Sequence, residues 1–189
     1  MANKFVIFGV SGQYRVMKQI IDSYNTEHHR SEVFALLDES NGIFIGDCKK
    51  VKFYNGSNAL EQFDKDALQE IYRESCENNN NYYSVVAIGN PHSERREELY
   101  ELLKERRITP YTLIHKSAIL EKSSWVKLGC QIHMGAKIGA GTVVGNYSII
   151  NTGAIVDHDC KLGTGVEIGP GATVCGEVEI GDYTWICAG

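Results

Sequence analysis

Asn151–Gly189 reads NTGAIVDHDCKLGTGVEIGPGATVCGEVEIGDYTWICAG, with an aliphatic residue at every sixth position: Val156, Leu162, Ile168, Val174, Ile180 and Ile186. The same register runs back through Ile150, Val144, Ile138, Ile132, Val126 and Leu120 to Ile114, thirteen members without a miss. Four residues after these members stands a small or β-branched residue, from Ala118 and Ser124 to Val178 and Thr184. Glycine often follows the aliphatic residue directly, as at Gly139, Gly145, Gly163, Gly169 and Gly181. A period of six is neither a helix period nor a plain strand period. It fits a β-solenoid in which each hexapeptide forms one short side and a corner. The aliphatic side chain points inward and the small one fills the corner. Three hexapeptides close one triangular coil, so residues eighteen apart stack at a strand spacing of about 4.8 Å.

Residues 1 to 110 follow a different grammar. KFVIFGV (Lys4–Val10) is an apolar strand, and SGQYRVMKQIIDSYN (Ser11–Asn25) has helical spacing. VFALLDES (Val33–Ser40) is a second strand, and ALEQFDKDALQEIYRESCE (Ala59–Glu77) reads as one helix broken by Asn78–Asn81. YYSVVAIGN (Tyr82–Asn90) is a third strand, and the following stretch to Arg107 is a helix with Pro91 near its start. Strands alternating with helices imply a small parallel, Rossmann-like sheet. The junction falls at Arg107–Leu113, where Pro110 disfavours helix continuation. The expected organisation is an α/β domain over 1–110 and a parallel β-helix over 111–189.

Three strand ends of the first domain carry polar or glycine residues. Gly9-Val10-Ser11-Gly12-Gln13 joins a strand to a helix, and a helix N-terminus offers free N–H groups to a phosphate. A full dinucleotide fingerprint wants a third glycine, but Arg15 stands there, which argues against NAD. Asp38 and Glu39 end the second strand, where a carboxylate can accept hydrogen bonds from a ribose or base. Gly89 and Asn90 end the third.

Composition narrows the function classes. The 189 residues carry a net charge of −5 with no basic stripe, which points away from nucleic acid and membrane surfaces. MANKFVIFGVSG enters a strand at once and lacks the long apolar core of a signal peptide, so the expected location is cytoplasmic. The six cysteines form no C-x-x-C pair and read as reduced thiols. Cys160 falls at an inward corner position and reads as core filler rather than a nucleophile.

The histidines separate by column. His28 and His29 look like a solvated loop, and His92 stands near a helix start. His115 and His133 are eighteen apart with Asn151 next, so a stacked polar ladder explains them without chemistry. His158 differs. Its column holds Ala140 one coil before and Gly176 one coil after, and Asp157 and Asp159 flank it. An adjacent carboxylate fixes the tautomer of an imidazole and raises the basicity of its far nitrogen. On spacing alone, a general base and a surface histidine both remain open.

The hexapeptide array resembles the hexapeptide-repeat acyltransferases, whose repeats wind a left-handed parallel β-helix. Left-handedness comes from that resemblance, since parallel crossovers are usually right-handed. FGVSGQ, AIGNP and the quoted C-terminal segment together resemble the sialic-acid O-acetyltransferase and nucleotide-amino-sugar N-acetyltransferase family, the NeuD/PglD-like group. The likeness covers nearly the whole chain in the same domain order. It implies an acetyl-CoA-dependent sugar acetyltransferase of bacterial surface-glycan synthesis, with His158 as catalytic base and Asp159 supporting it. It implies nucleotide-sugar binding through Ser11, Gly12, Gln13, Asp38, Glu39 and Gly89. It further implies a homotrimer, with acetyl-CoA between subunits near Gly176 and Ala188, and no metal. Glu167 stands where some members place a histidine that contacts the acetyl donor. The glycine turn reads GVSGQY where the family often has G-x-S-G-H-G. The chain stops inside its thirteenth hexapeptide where most members continue, so part of the donor wall is expected beyond Gly189. Amine and hydroxyl acceptors, including sialic acid, stay open. So does a catalytically impaired sugar-nucleotide-binding scaffold. A zinc hydratase resembling the γ-type carbonic anhydrases would need His133 and His158 to converge with a third ligand, and their columns differ.

Overall fold

The computed structural model describes residues 2–9, 12–24, 30–38, 52–77 and 81–189. The chain divides into two compact units, Met1–Ile88 with Leu99–Pro110, and Gly89–Glu98 with Tyr111–Gly189.

Elements before the solenoid are β1 (Ala2–Phe8), α1 (Gly12–Ser23), β2 (Arg30–Asp38), β3 (Lys52–Asn55), α2 (Ala59–Asp66), α3 (Leu68–Glu77), β4 (Asn81–Val86), α4 (Ser93–Glu105) and β5 (Thr109–Pro110). The five strands form one parallel sheet in the order β3-β2-β1-β4-β5. Phe5, Val6, Ile7 and Phe8 are all buried, so β1 is covered on both faces and reads as a continuous apolar run. The spacing places Val16, Ile20 and Ile21 of α1 on one face; Ile20 and Ile21 are wholly buried, Val16 is only half-buried, and Met17 is wholly buried beside them. Two features differ from the sequence reading. The single helix expected over 59–77 is two helices, because the chain leaves helical geometry at Ala67 (φ −118°). β3 and β5 are additional edge strands of four and two residues, too short for a periodic signal, and proline is tolerated in β5 because it lies at the sheet edge.

The second unit is a three-sided parallel β-helix. Thirteen two-residue strands run from Leu113–Ile114 to Trp185–Ile186. All but the last three pair with the strand eighteen residues on, as in Lys137 with Ile155, Val143 with Lys161, and Ile149 with Glu167. The second residue of each strand is the aliphatic one that the period of six singled out. Ile132, Val144, Ile150, Val156 and Ile168 are wholly buried, and Cys130, Ala136, Ala154, Cys160 and Val166 fill the corners beside them. One residue per hexapeptide takes a left-handed conformation to turn the corner, from Gly129 every sixth residue to Tyr183. Most are glycine; Tyr147, Asp159, Glu177 and Tyr183 are not.

The three walls differ on their outer faces. Ile119 and Trp125 are exposed on two of them. On the third, Leu113, Gln131 and Ile149 are wholly buried and Glu167 is 6% exposed. Residues 89–98 account for part of this cover: Arg96, itself wholly buried, donates from Nε to the Tyr147 carbonyl (2.8 Å) and from Nη2 to the Gly165 carbonyl (2.9 Å).

Candidate active site at the His158 corner

His158 lies in the corner between the strands Ile155–Val156 and Lys161–Leu162. Its Nδ1 is 3.0 Å from Asp159 Oδ2. A carboxylate only accepts, so Nδ1 carries the proton and Nε2 keeps its lone pair. The backbone N–H of His158 donates to Asp157 Oδ1 at 2.8 Å, which ties the first aspartate to the turn. The side chains of His158 and Asp159 are 52% and 64% exposed. The imidazole pKa is raised above its ordinary 6.5, first by the hydrogen bond to Asp159 and then by the charge of Asp157.

Two glycines make this arrangement possible. A Cβ on Gly176 would lie 2.5 Å from His158 Nε2 and 2.7 Å from Cε1, so the ring occupies the space a side chain there would fill. The column reading anticipated this bare backbone. Gly141 does the same for Asp159: a Cβ there would collide with Oδ1. Counting back eighteen from Asp159 would have found that second glycine. Asp159 also holds the left-handed corner position (φ 54°), which Asp tolerates better than most residues. The Gly176 N–H donates to no group among the described residues.

The other histidine column is closed. His133 is wholly buried, and its Nδ1 is 3.1 Å from Asn151 Oδ1. Burial lowers its pKa to about 4, and its Nε2 has no hydrogen-bond partner among the described residues. His115 bonds Ser117 Oγ at 2.8 Å. His133, Asn151 and Glu167 then form a chain, since Asn151 Nδ2 donates to Glu167 Oε1 at 3.4 Å. Glu167, expected at the donor contact, is engaged within the second unit. Its carboxylate is buried and accepts from the backbone N–H and Nδ2 of Asn90 at 3.0 and 2.9 Å.

Two candidates of the first unit lie at the carboxyl edge of the parallel sheet: Gly12 opens α1 after β1, and Asp38 is the last residue of β2. Gly89, three residues after β4, belongs to the second unit. The sheet order reverses direction between β1 and β4, and such switch points are where open parallel sheets bind ligands. Ser11 and Glu39, like His28 and His29, lie outside the described residues. Ala188 is exposed in the last coil, and its backbone stacks closely on Gly169.

Cys130, Cys160, Cys175 and Cys187 are free thiols. Cys160 is wholly buried at its corner, and burial pushes the Cys130 thiol up to about 12. Among the described residues, no three His, Cys, Asp or Glu side chains converge as a metal site requires. Nor is any described helix long and apolar enough to cross a membrane.

No protein-family model and no curated protein sequence matches the chain. Solved structures do. A histidine-to-alanine variant of GDP-perosamine N-acetyltransferase from Caulobacter crescentus, in complex with CoA and GDP-perosamine, matches at 23% identity and a TM-score of 0.74, covering 100% of this chain and 88% of that one. The acetyltransferase domain of PglB from Neisseria gonorrhoeae, in complex with acetyl coenzyme A, matches at 19% identity and 0.72, covering 100% and 90%. WeeI from Acinetobacter baumannii matches at 19% identity and 0.71, covering 97% and 77%. The chain thus shares, over its length, the fold of the NeuD/PglD-like hexapeptide acetyltransferases that the sequence resembles: a parallel α/β sheet followed by a three-sided β-helix.

Proposed function

We propose that the protein transfers the acetyl group of acetyl-CoA to an amino group of a nucleotide-linked amino sugar, with His158 as the general base. The observation that carries this reading is the His158 ring seated against Gly176 with its Nδ1 on Asp159. That arrangement leaves one basic nitrogen, held in one tautomer, beside a backbone N–H with no partner among the described residues. Structures of the same fold with CoA, acetyl-CoA and GDP-perosamine support the choice of substrates.

In the reaction, His158 Nε2 accepts a proton as the amine attacks the thioester carbonyl. The Gly176 N–H donates to the carbonyl oxygen as negative charge builds on it. Asp159 orients the ring and stabilises the imidazolium. When the intermediate collapses the C–S bond breaks, and the imidazolium returns its proton to the leaving sulfur. A positioned base contributes roughly 10²–10⁴-fold and an oxyanion donor about 10²–10³-fold. Gly176 and Ala188 line the donor side in this proposal. Ser11, Gly12, Gln13, Asp38, Glu39 and Gly89 hold the nucleotide of the acceptor. We propose a homotrimer as the working form, supported by the apolar Ile119, Trp125, Leu128 and Met134 left exposed on the β-helix.

Thiol release from acetyl-CoA against a panel of nucleotide-linked amino sugars, free amino sugars and sialic acid tests the proposal. Turnover confined to nucleotide-linked amines is expected. Turnover only on a hydroxyl of sialic acid would reassign the acceptor. Nucleotide-sugar binding without turnover on any acceptor would make the protein a binding scaffold.

A further inference from the structure

We infer that Glu167 is a positioning residue for the acceptor: it fixes the Gly89–Asn90 peptide on the β-helix and so orients the turn that touches the nucleotide sugar. The substrate clause rests on the acetyltransferase reading above; the latch itself does not.

Glu167 occupies an outward position of its strand, where a carboxylate would ordinarily be solvated. Here it is 6% exposed, and a buried carboxylate is costly unless its lone pairs are met. Those of Oε2 are met by one short segment, and Oε1 is met from the neighbouring coil. Oε2 accepts both the backbone N–H and the Nδ2 of Asn90, at 3.0 and 2.9 Å. The same oxygen lies 4.0 Å from Nη1 of the wholly buried Arg96. Oε1 takes Asn151 Nδ2 at 3.4 Å. The hold extends to the start of α4, because Ser93 Oγ donates to Asn90 Oδ1 at 2.6 Å. Arg96 then anchors that helical turn to the Tyr147 and Gly165 carbonyls.

The chemistry explains why an acid stands here. Donors converge on both carboxylate oxygens, and only an acceptor-only group can meet them all. The amide of Gln offers a single oxygen, so one set of donors would face its NH₂ group. Removing the charge also takes away a carboxylate 4.0 Å from the Arg96 guanidinium. The Gly89–Asn90 peptide is thereby tied to the same polar chain that ends at His133. Loss of the latch should therefore loosen acceptor binding and leave the acetyl donor alone.

Two readouts on the full-length protein test this. The first is hydrogen exchange of a peptide covering residues 87–95, in wild type and in Glu167→Gln. The exchange there should speed up by about tenfold or more while the coils around Ile150 stay protected. Unchanged exchange at 87–95 would overturn the latch. The second is calorimetric binding of UDP- and GDP-linked amino sugars and, separately, of CoA. Glu167→Gln should weaken the nucleotide sugar by about tenfold with the CoA Kd within about twofold, and Asn90→Ala should reproduce that split. A change confined to CoA would overturn the inference and return Glu167 to the donor side. Should wild type bind no nucleotide sugar, the acetyltransferase reading and the substrate clause fail together, and the exchange comparison still decides the latch. If Glu167→Gln does not fold, Asn90→Ala serves for both readouts.

Discussion

Two histidines stand at corners of the same solenoid and do different things. His133 is wholly buried, faces Asn151 eighteen residues on, and has its pKa lowered to about 4 by burial. His158 is half exposed, lies against Gly176 eighteen residues on, and has its pKa raised by Asp159 and Asp157. In a β-helix a side chain's nearest neighbours are set by the columns as much as by the chain. A polar residue in the next coil closes the column into a ladder, as at His133. A glycine there leaves the ring room and an N–H beside it, as at His158.

The sharpest way to break this contrast is to fill the space beside His158. Gly176→Ala places a Cβ where the ring now lies, so the imidazole must move. We expect a loss of about 10²-fold or more in kcat/KM, with the thermal midpoint nearly unchanged because the site is at the surface. A variant with near wild-type activity would show that the ring position is not required.

The buried column should declare itself in stability instead. Above pH 6.5 the His133 ring is neutral in both folded and unfolded chains and contributes no slope. Below 6.5 the unfolded chain binds a proton that the buried ring refuses, so stability falls as pH falls. The fall continues to about pH 4 and amounts to roughly 3 kcal/mol. Denaturant titrations between pH 7 and pH 4 should show this slope in wild type and a smaller one in His133→Gln. Equal slopes in the two would mean that His133 is not held neutral by the fold.

The smallest effect is on the pH profile of the reaction. His158 must be neutral to act as a base, so kcat/KM should rise with pH through an inflection above 6.5. Asp159→Asn removes the largest cause of the raised pKa. The inflection should move down toward 6.5, with the charges of Asp157 and Glu177 still opposing the fall. An inflection that does not move would assign the support to Asp157.

The solenoid was legible because a period of six ties every residue to one environment, and Ile114 through Ile186 keep that period without exception. The His158–Gly176 pairing followed from the same count of eighteen. Edge strands such as Lys52–Asn55 and Thr109–Pro110 carry no periodic signal, and their place depends on pairing with distant strands. Glu167 was hidden for a related reason. Its place on the strand marks it as outward, and nothing local announces that residues 89–98 cover it. Ala67, which divides the expected long helix, is itself a strong helix former, so propensity gave no warning there.

The most direct test of the account compares acetyl-CoA-dependent thiol release by wild type and His158→Ala on the best nucleotide-linked amino sugar, with unfolding midpoints measured alongside. The account predicts a fall of about 10²-fold or more in kcat with an unchanged midpoint. Activity within a few-fold of wild type in a folded His158→Ala protein would contradict it and remove His158 from the chemistry.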